Sequence, residues 1–527
     1  MNYRVFIPTA GKGSRLGSRM TYFNKALIKI GDKAVISHTI DAFPVETQFV
    51  IALGYKGDIV KQYLELTYPE RKFIFVWSGK YMGEIGSGPG RAILDCAQYL
   101  QCPFYYVSCD AIIDWKNRLH CLFDWAGWSE IDEREIKDYC TISVKDPDHC
   151  GDWEVSGYHN KSEQGTTNAF TGVACINNHQ SFWNKMNSEE ISEEQEIQVA
   201  PAILSIPYIC AWWVDWWDTG SEKGIQLARE HFLGLQNLDK ADEEIYFVNG
   251  AAIKYFHNDS SIKGRVARTQ LLGDAVPQLL GSTRNFYKYE FVQGKDLSTV
   301  SEQHEIILPL LSFAKQHLWN EIKLDDMNSN IFKDACRDFY YQKTLTRLNN
   351  FYDKANVIDR EDIIDGQSIP TVEKILKLID WNWISNGLPC IGHGDLNLSN
   401  VLLLSDNSFK LIDFRQDFGG LVDKFDAYYD FAKLYCSFLF PRISANDGKY
   451  SFIERDGLIE TNISIPENFQ KAKEIFEKWI VNDGYDLKKI KVLTGIVFLN
   501  MSPLHENPLD RYLFYFAKKN LYNALNV

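Results

Sequence analysis

Three polar residues within an apolar stretch, Asp395, Asn400 and Asp413, have the types and spacing that phosphoryl transfer from ATP requires. They lie in residues 391–414, IGHGDLNLSNVLLLSDNSFKLIDF, which opens on His393-Gly394-Asp395 and closes on Asp413-Phe414. A carboxylate at Asp395 would orient an acceptor hydroxyl and take its proton, while the Asn400 amide oxygen and Asp413 would hold Mg²⁺ on the phosphates. Residues 401–404 and 409–412 read as short apolar strands joined by the turn 405–408, so Asn400 and Asp413 should meet at one end of a hairpin. The bland alternative is a buried hairpin with incidental polar flanks, and the coincidence of residue type with predicted context argues against it.

A second set of reactive residues lies in the first half of the chain. A short strand at 4–7 breaks into Pro8-Thr9-Ala10-Gly11-Lys12-Gly13-Ser14-Arg15-Leu16. Gly11 and Gly13 would let backbone N–H groups approach a nucleotide phosphate, and Arg15 with Lys25 would neutralise a triphosphate and a departing pyrophosphate. Strand 104–107 runs into Asp110, and the aromatic stretch 211–220, read as one strand, runs into Asp218. Two carboxylates that each end a strand can converge on one Mg²⁺. Gly86-Ser87-Gly88-Pro89-Gly90 either wraps a nucleobase or makes a turn before a helix at 91–100.

These residues need a scaffold. Strands at 48–53 and 72–77 alternate with helices at 34–43 and 58–66, which predicts a doubly wound, largely parallel α/β sheet with ligands at the carboxyl ends of its strands. The second half begins with a hairpin through Asn249-Gly250, and Lys254 lies inside its second strand between apolar residues. An ammonium there calls for a charge such as ATP phosphate, unless it snorkels from an edge. Polar residues at 235–242 mark the seam, giving domains 1–237 and 238–527. The 527 residues exceed one ordinary core, and a net charge of −14 argues against nucleic-acid binding. Eleven cysteines without a C-x-x-C pair fit a reducing cytosol, and no leader or membrane-spanning run is expected, so the predicted location is cytoplasmic without membrane insertion.

Residues 1 to about 235 resemble the sugar-phosphate nucleotidyltransferase family through Ala10-Gly11-Lys12-Gly13-Ser14-Arg15-Leu16, Lys25, Asp110 and Trp216-Trp217-Asp218-Thr219-Gly220. The resemblance implies a Rossmann-like fold in which Gly11, Gly13 and Arg15 hold an NTP. It gives Lys25 to the phosphates and Asp110 and Asp218 to Mg²⁺. The implied reaction is attack of a substrate phosphate on the α-phosphorus with release of pyrophosphate. Pro8-Thr9 replaces an apolar residue and Ala, and Asn24 replaces Pro, departures that bear on specificity. Asn168–Val173 resembles the strand beside the sugar pocket, and Lys161, which no flanking motif supports, is set aside as a phosphate ligand.

Residues 240–527 resemble the aminoglycoside phosphotransferase and choline kinase superfamily, an α+β bilobal protein-kinase-like fold. That resemblance gives Lys254 to the ATP phosphates, the backbone at Glu290 and Val292 to adenine, Asp395 the role of base, and Asn400 and Asp413 to Mg²⁺. Asp430 would brace the catalytic loop. Here Arg265-Val266-Ala267-Arg268-Thr269-Gln270 occupies the helix that should carry a Glu for the lysine, no G-x-G-x-x-G loop is present, and Asp413-Phe414-Arg415 replaces Asp-Phe-Gly.

A kinase makes the phosphomonoester that a nucleotidyltransferase consumes. The two halves would thus convert a small alcohol, first a sugar or polyol, into its phosphate and then into an NDP-activated compound for surface-glycan synthesis. ATP and one of CTP, UTP, GTP or dTTP would be the nucleotides. The runner-up acceptor is choline or ethanolamine, since Trp212, Trp213, Trp216 and Trp217 offer aromatic faces for a quaternary ammonium; core packing is the other reading of those tryptophans. A reading of another class makes one half a nucleotide-binding module without catalysis. A homo-oligomer remains open.

Overall fold

A computed structural model describes residues 3–115, 122–145, 153–161, 163–188, 196–235, 242–455 and 458–526. The expected seam at 237/238 lies outside the described residues. The chain divides into two compact units, one of residues 1–259 with 280–289, the other of residues 260–279 with 290–527.

The first unit is built on a nine-stranded sheet. Arg4–Pro8 lies between Gln48–Leu53 and Phe104–Val107, and Lys72–Trp77 flanks Gln48–Leu53; all three pairings are parallel. Val50, Ile51, Ala52 and Leu53 are fully buried, as strands covered on both faces must be. Helices Val35–Ala42, Gly57–Thr67 and Pro89–Asp95 make the crossovers. Because the strands run the same way, the loop after Pro8 and the loop after Val107 leave from the same edge.

Beyond Phe104–Val107 the sheet departs from the predicted, largely parallel pattern. Asn168–Ile176 pairs antiparallel with Phe104–Val107, and only Cys210–Trp213 with Trp125–Glu130 returns to parallel. The described chain between Val107 and Asn168 holds strands and one short 3₁₀ turn, with no crossover helix to reverse direction. The stretch read as one strand from 211 to 220 is two. Cys210–Trp213 belongs to the large sheet, whereas Trp216–Asp218 forms a separate ribbon with Ala111–Ile113, Asp218 opposite Ala111. That change of sheet carries Asp218 to the chain next to Asp110.

The hairpin of Glu243–Val248 and Ala251–Phe256 turns through Asn249 and Gly250, both at positive φ (51° and 71°), as the twist of a two-residue hairpin requires. It groups with the first unit rather than the second. Tyr246, Val248, Ile253, Tyr255 and Phe286 share a core with Tyr63 and Leu64, and the Tyr246 and Tyr255 hydroxyls donate to the carbonyls of Leu27 (2.6 Å) and Tyr22 (2.5 Å).

The second unit is mainly helical. Gln303–His317, Ala427–Leu439, Glu467–Asn482, Leu487–Met501 and Leu509–Asn526 contribute to one core. Leu487–Met501 is buried on nearly every side, which its apolar run permits. The mainly helical stretch 325–378 is interrupted by the π-turn Asp338–Gln342 and by the small strand pair Asp362–Ile364 and Gln367–Ile369. Val401–Leu403 and Phe409–Leu411 form the expected hairpin, Val401 opposite Leu411.

Candidate functional site

In the first unit the sheet edge gathers Lys25, Asp110 and Asp218. The Lys25 ammonium lies 2.7 Å from Asp110 Oδ2, and the Ser108 hydroxyl donates to Asp110 Oδ1 at 2.5 Å. Tyr139 donates to Asp218 Oδ2 at 2.8 Å and the Gly220 N–H to Oδ1 at 2.9 Å. Thr219 donates twice, through N–H and hydroxyl, to the Asp110 carbonyl. A Cβ placed on Gly220 would stand 3.0 Å from Asp218 Oδ1 and 3.2 Å from Asp110 Oδ2, so the two carboxylates converge on one spot that only glycine leaves open.

The charges there are uneven. Burial would push Asp110 up, but the Lys25 ammonium and the hydrogen bonds hold it well below the usual carboxylate range. Asp218 is pushed above that range, by burial first and then by the negative charge of Asp110. A divalent cation would relieve that repulsion. Among the described residues no cluster of three or more His, Cys, Asp or Glu forms a metal cage, so these two carboxylates would need phosphate oxygens and water to complete a Mg²⁺ shell.

The glycine loop closes over this site. Gly13 adopts φ 69°, and a Cβ there would stand 3.4 Å from Lys25 Cβ. Gly11 and Arg15 are exposed. Asn24, the residue in place of Pro, is fully buried; its amide donates to the carbonyls of Thr9 (2.8 Å) and Tyr55 (2.7 Å) and accepts from the Ala26 N–H (2.9 Å), capping the turn that carries Lys25. Thr9 in turn bonds Ala52 through its N–H and its hydroxyl. Both departures therefore tie the loop and the lysine to the sheet. Asn24→Ala is expected to cost about 2 kcal/mol of stability and to slow pyrophosphate release roughly tenfold, as a melting curve and a phosphate-release assay would read. Unchanged turnover would mean that the tether does not set the position of Lys25.

Lys161, set aside on sequence, belongs to this group. Its side chain is exposed, yet desolvation lowers its ammonium below the usual lysine value, and Arg15 adds to that while Asp110 and Asp218 oppose it. No local motif marks it; the fold alone brings it there. The cluster Gly86–Gly90 packs instead: the Gly90 N–H donates to Ile197 O at 2.7 Å, and a Cβ on Gly90 would stand 2.4 Å from Ile197 Cγ2. The tryptophans divide. Trp217 packs on His231 and Phe232, Trp216 meets Tyr139 edge-on, and Trp213 is exposed.

In the second unit Asp395, Asn400 and Asp413 lie together. The Asn400 amide donates to the Asp395 carbonyl at 2.8 Å and stands 3.5 Å from its Oδ2, and the Ile412 N–H donates to the Asn400 carbonyl at 2.9 Å, setting Asp413 beside it. Asp413 is exposed and held at φ 56°, a left-handed conformation that costs a non-glycine residue energy and is typical of functional loops. Asp395 Oδ1 is 2.7 Å from the ammonium of Lys433, a residue sequence reading passed over. Burial alone would raise the Asp395 carboxyl; Lys433, followed by His393 and Arg415, brings it below the usual range. Burial pushes the His393 imidazole down to about 4, so it is neutral and donates through Nε2 to the Ile412 carbonyl (3.0 Å) while Nδ1 accepts from the Asp395 N–H.

Buried groups hold this loop from behind. Asp430 accepts from the N–H groups of His393 and Gly394, each at 2.7 Å, and from the Trp319 indole at 3.2 Å. Gly394 has no alternative, since a Cβ would lie 2.4 Å from the Phe425 ring. The helix without the expected Glu supplies cations instead. Arg268, fully buried over the Phe425 ring, donates to the carbonyls of Ile391, Gly392 and Val422, and Arg265 donates to that of Phe414. Arg268→Leu is expected to destabilise the second unit by roughly 3 kcal/mol, visible as a lower urea midpoint, because three carbonyls lose a charged donor. A midpoint equal to wild type would remove the brace from the account.

Lys254 is buried in the first unit, its ammonium 5.4 Å from the Phe256 ring centre. Glu290, in the second unit, gives its N–H to the Gln278 carbonyl (2.9 Å), and Val292 is half-buried.

No family model and no curated protein matches the chain. Among solved structures it is similar to UDP-glucose pyrophosphorylase complexed with UDP-glucose, 18% identical over 44% of this chain and 98% of that one, TM-score 0.38. It is also similar to UTP-bound UGPase from Acinetobacter baumannii (16%, 44% and 93%, TM-score 0.35) and to HddC from Yersinia pseudotuberculosis complexed with GMP-PN (18%, 44% and 100%, TM-score 0.34). Likenesses this distant carry no functional argument, which rests on the two sites themselves. Among the described residues no helix is long and apolar enough to cross a membrane.

Proposed function

We propose that the chain phosphorylates a small hydroxylated metabolite with ATP and then transfers a nucleotidyl group to the resulting phosphate. The observation that carries this reading is that each unit holds its own constellation around a carboxylate: Asp110, Asp218 and Lys25 in one, Asp395, Asn400 and Asp413 in the other. In the second unit Asp395 accepts the proton of the acceptor hydroxyl as its oxygen bonds the γ-phosphorus and ADP leaves. In the first unit a phosphate oxygen attacks the α-phosphorus of an NTP, and pyrophosphate departs. There Lys25, Arg15 and Lys161 offset negative charge, Gly11 and Gly13 admit the triphosphate, and Asp110 and Asp218 would hold Mg²⁺, which screens the phosphates when bound. Asn400 and Asp413 would do the same for ATP, with Glu290 and Val292 beside adenine.

The NTP is one of CTP, UTP, GTP or dTTP, and the product is an NDP-activated compound suited to surface-glycan assembly in the cytoplasm. Domains 1–237 and 238–527, the latter kinase-like, remain the functional division proposed. Incubation with ATP, an alcohol panel and each NTP tests the reading: ADP should precede pyrophosphate, and pyrophosphate should require the alcohol or its phosphate. Pyrophosphate release that is independent of both would overturn the order.

A further inference from the structure

The surroundings of Asp395 on the side of the π-turn are cationic. Lys343 and Arg347 stand one turn apart at the start of the helix Lys343–Ala355, immediately after the π-turn Asp338–Gln342. The Lys343 ammonium is 3.8 Å from the Phe339 ring centre and 6.0 Å from that of Tyr429, and the Arg415 guanidinium is 5.2 Å from the same Phe339 ring. Phe339 and Tyr429 meet edge-on at 4.9 Å, and one helical turn beyond Tyr429, Lys433 bonds Asp395 at 2.7 Å. The aromatic pair thus links two cations, Lys343 and Arg415, to the helix whose Lys433 bonds the base. Lys343, Arg347 and Arg415 have no ion-pair partner among the described residues, and all three are half-buried.

Unpaired, partly desolvated cations are costly unless a ligand supplies the counter-charge. Lys343 registers that cost. Burial, then Arg415, Arg347 and Lys433, bring its ammonium down to about 6, against the opposing charge of Asp395. Burial and Arg415 lower Arg347 as well. Lys343 and Arg415 both interact electrostatically with Asp395, and Arg347 lies by Arg415 and Tyr429, in the same unit, where an acceptor would lie. A quaternary ammonium would be repelled there, which sets choline aside, whereas a phosphate or carboxylate would be held by two guanidinium groups and an amine.

We propose that the acceptor alcohol carries an anionic group of its own, a phosphate monoester or a carboxylate, bound by Lys343, Arg347 and Arg415. This rests on the reading of Asp395 as the base of a phosphotransferase. The hydroxyl that receives the phosphoryl group lies at Asp395, and the fixed anion lies by the Phe339 ring. The product then carries two anionic groups, only one of which goes on to the nucleotidyl step.

The test is a steady-state ADP assay on the full chain with matched acceptors: hexose and heptose phosphates, aldonates, the corresponding neutral sugars, and choline. Phosphorylated or carboxylated polyols are expected to exceed their neutral counterparts at least tenfold in kcat/KM, and the two sub-panels show which anion is preferred. Lys343→Met and Arg347→Gln should each raise the acceptor KM about tenfold while leaving kcat and the KM for ATP within about twofold, and Arg347→Lys should recover part of the loss. Preference for neutral sugars or choline, or a rise in the KM for ATP instead, overturns the proposal. If no acceptor yields ADP, the phosphotransferase reading fails, and calorimetry with inorganic phosphate decides the pocket separately. At pH 7.5 wild type should take up a proton on binding, because a bound anion raises the pKa of an amine that is neutral beforehand, and Lys343→Met should not. Equal affinity and equal proton uptake in both proteins would overturn the anion site.

Discussion

Asp395→Asn is expected to lower ATP-dependent phosphorylation by about a thousandfold while pyrophosphate release from a supplied phosphomonoester continues at the wild-type rate. The substitution keeps the size of the side chain but removes the carboxylate that stands 3.5 Å from the Asn400 amide. It also leaves Lys433 facing an amide at 2.7 Å in place of an anion. The ammonium of Lys433, held above the usual lysine value by Asp395 against the effect of burial, then loses its counter-charge. A melting curve therefore accompanies the assay, so that loss of fold is not read as loss of base. ADP formation within tenfold of wild type would take the base role away from Asp395. Loss of both activities in a protein that melts normally would break the claim that the two chemistries occupy separate units.

The mirror experiment is Asp110→Asn. It removes the anion that Lys25 and Ser108 contact and one of the two carboxylates converging at Gly220. Pyrophosphate release should fall about a thousandfold, since electrostatic stabilisation of a triphosphate in a desolvated site is the largest contribution such a site makes. ADP formation should be untouched. Asp218→Asn should fall with it, whereas a surface control such as Asp132→Asn should do nothing. An Asp110→Asn protein that still forms an NDP-activated product at more than a tenth of the wild-type rate would remove that carboxylate from the mechanism. Taken together, the two substitutions also test the reading in which one half only binds nucleotide, because that reading predicts that one of them is silent in both assays.

Short-range chemistry was readable in advance, and long-range packing was not. A strand followed by Gly11, Gly13 and Arg15, and another ending near Asp110, mark the edge of a parallel sheet because strand direction and loop composition are local properties. The hairpin that joins Asn400 to Asp413 was legible for the same reason. Asp218 was readable as a residue but not as a position. Trp213 and Trp216 look like one strand until the chain changes sheets between them, and nothing in an aromatic run announces that. Lys161 and Lys433 reach their sites from a loop and from a helix face, with no neighbouring signature. Lys433 was within reach, since it lies one helical turn from Asp430 and so near the same loop. Arg265 and Arg268 were noticed only as the absence of a glutamate. Their task, holding backbone carbonyls of a loop more than a hundred residues away, becomes visible only once that loop is in place.

The tyrosines of the Asn249-Gly250 hairpin have a consequence for anyone who would recombine this chain. Tyr246 and Tyr255 anchor the strand that bears Lys254 to the segment around Leu27 and Tyr22, and Phe286 completes the same core. A chimera spliced at 237 would part the Lys254 strand from the core in which it packs. It would also leave the donor half with an apolar scar over Tyr63. No single junction keeps both units whole, because the first unit runs to residue 289 while residues 260–279, with Arg265 and Arg268, belong to the second.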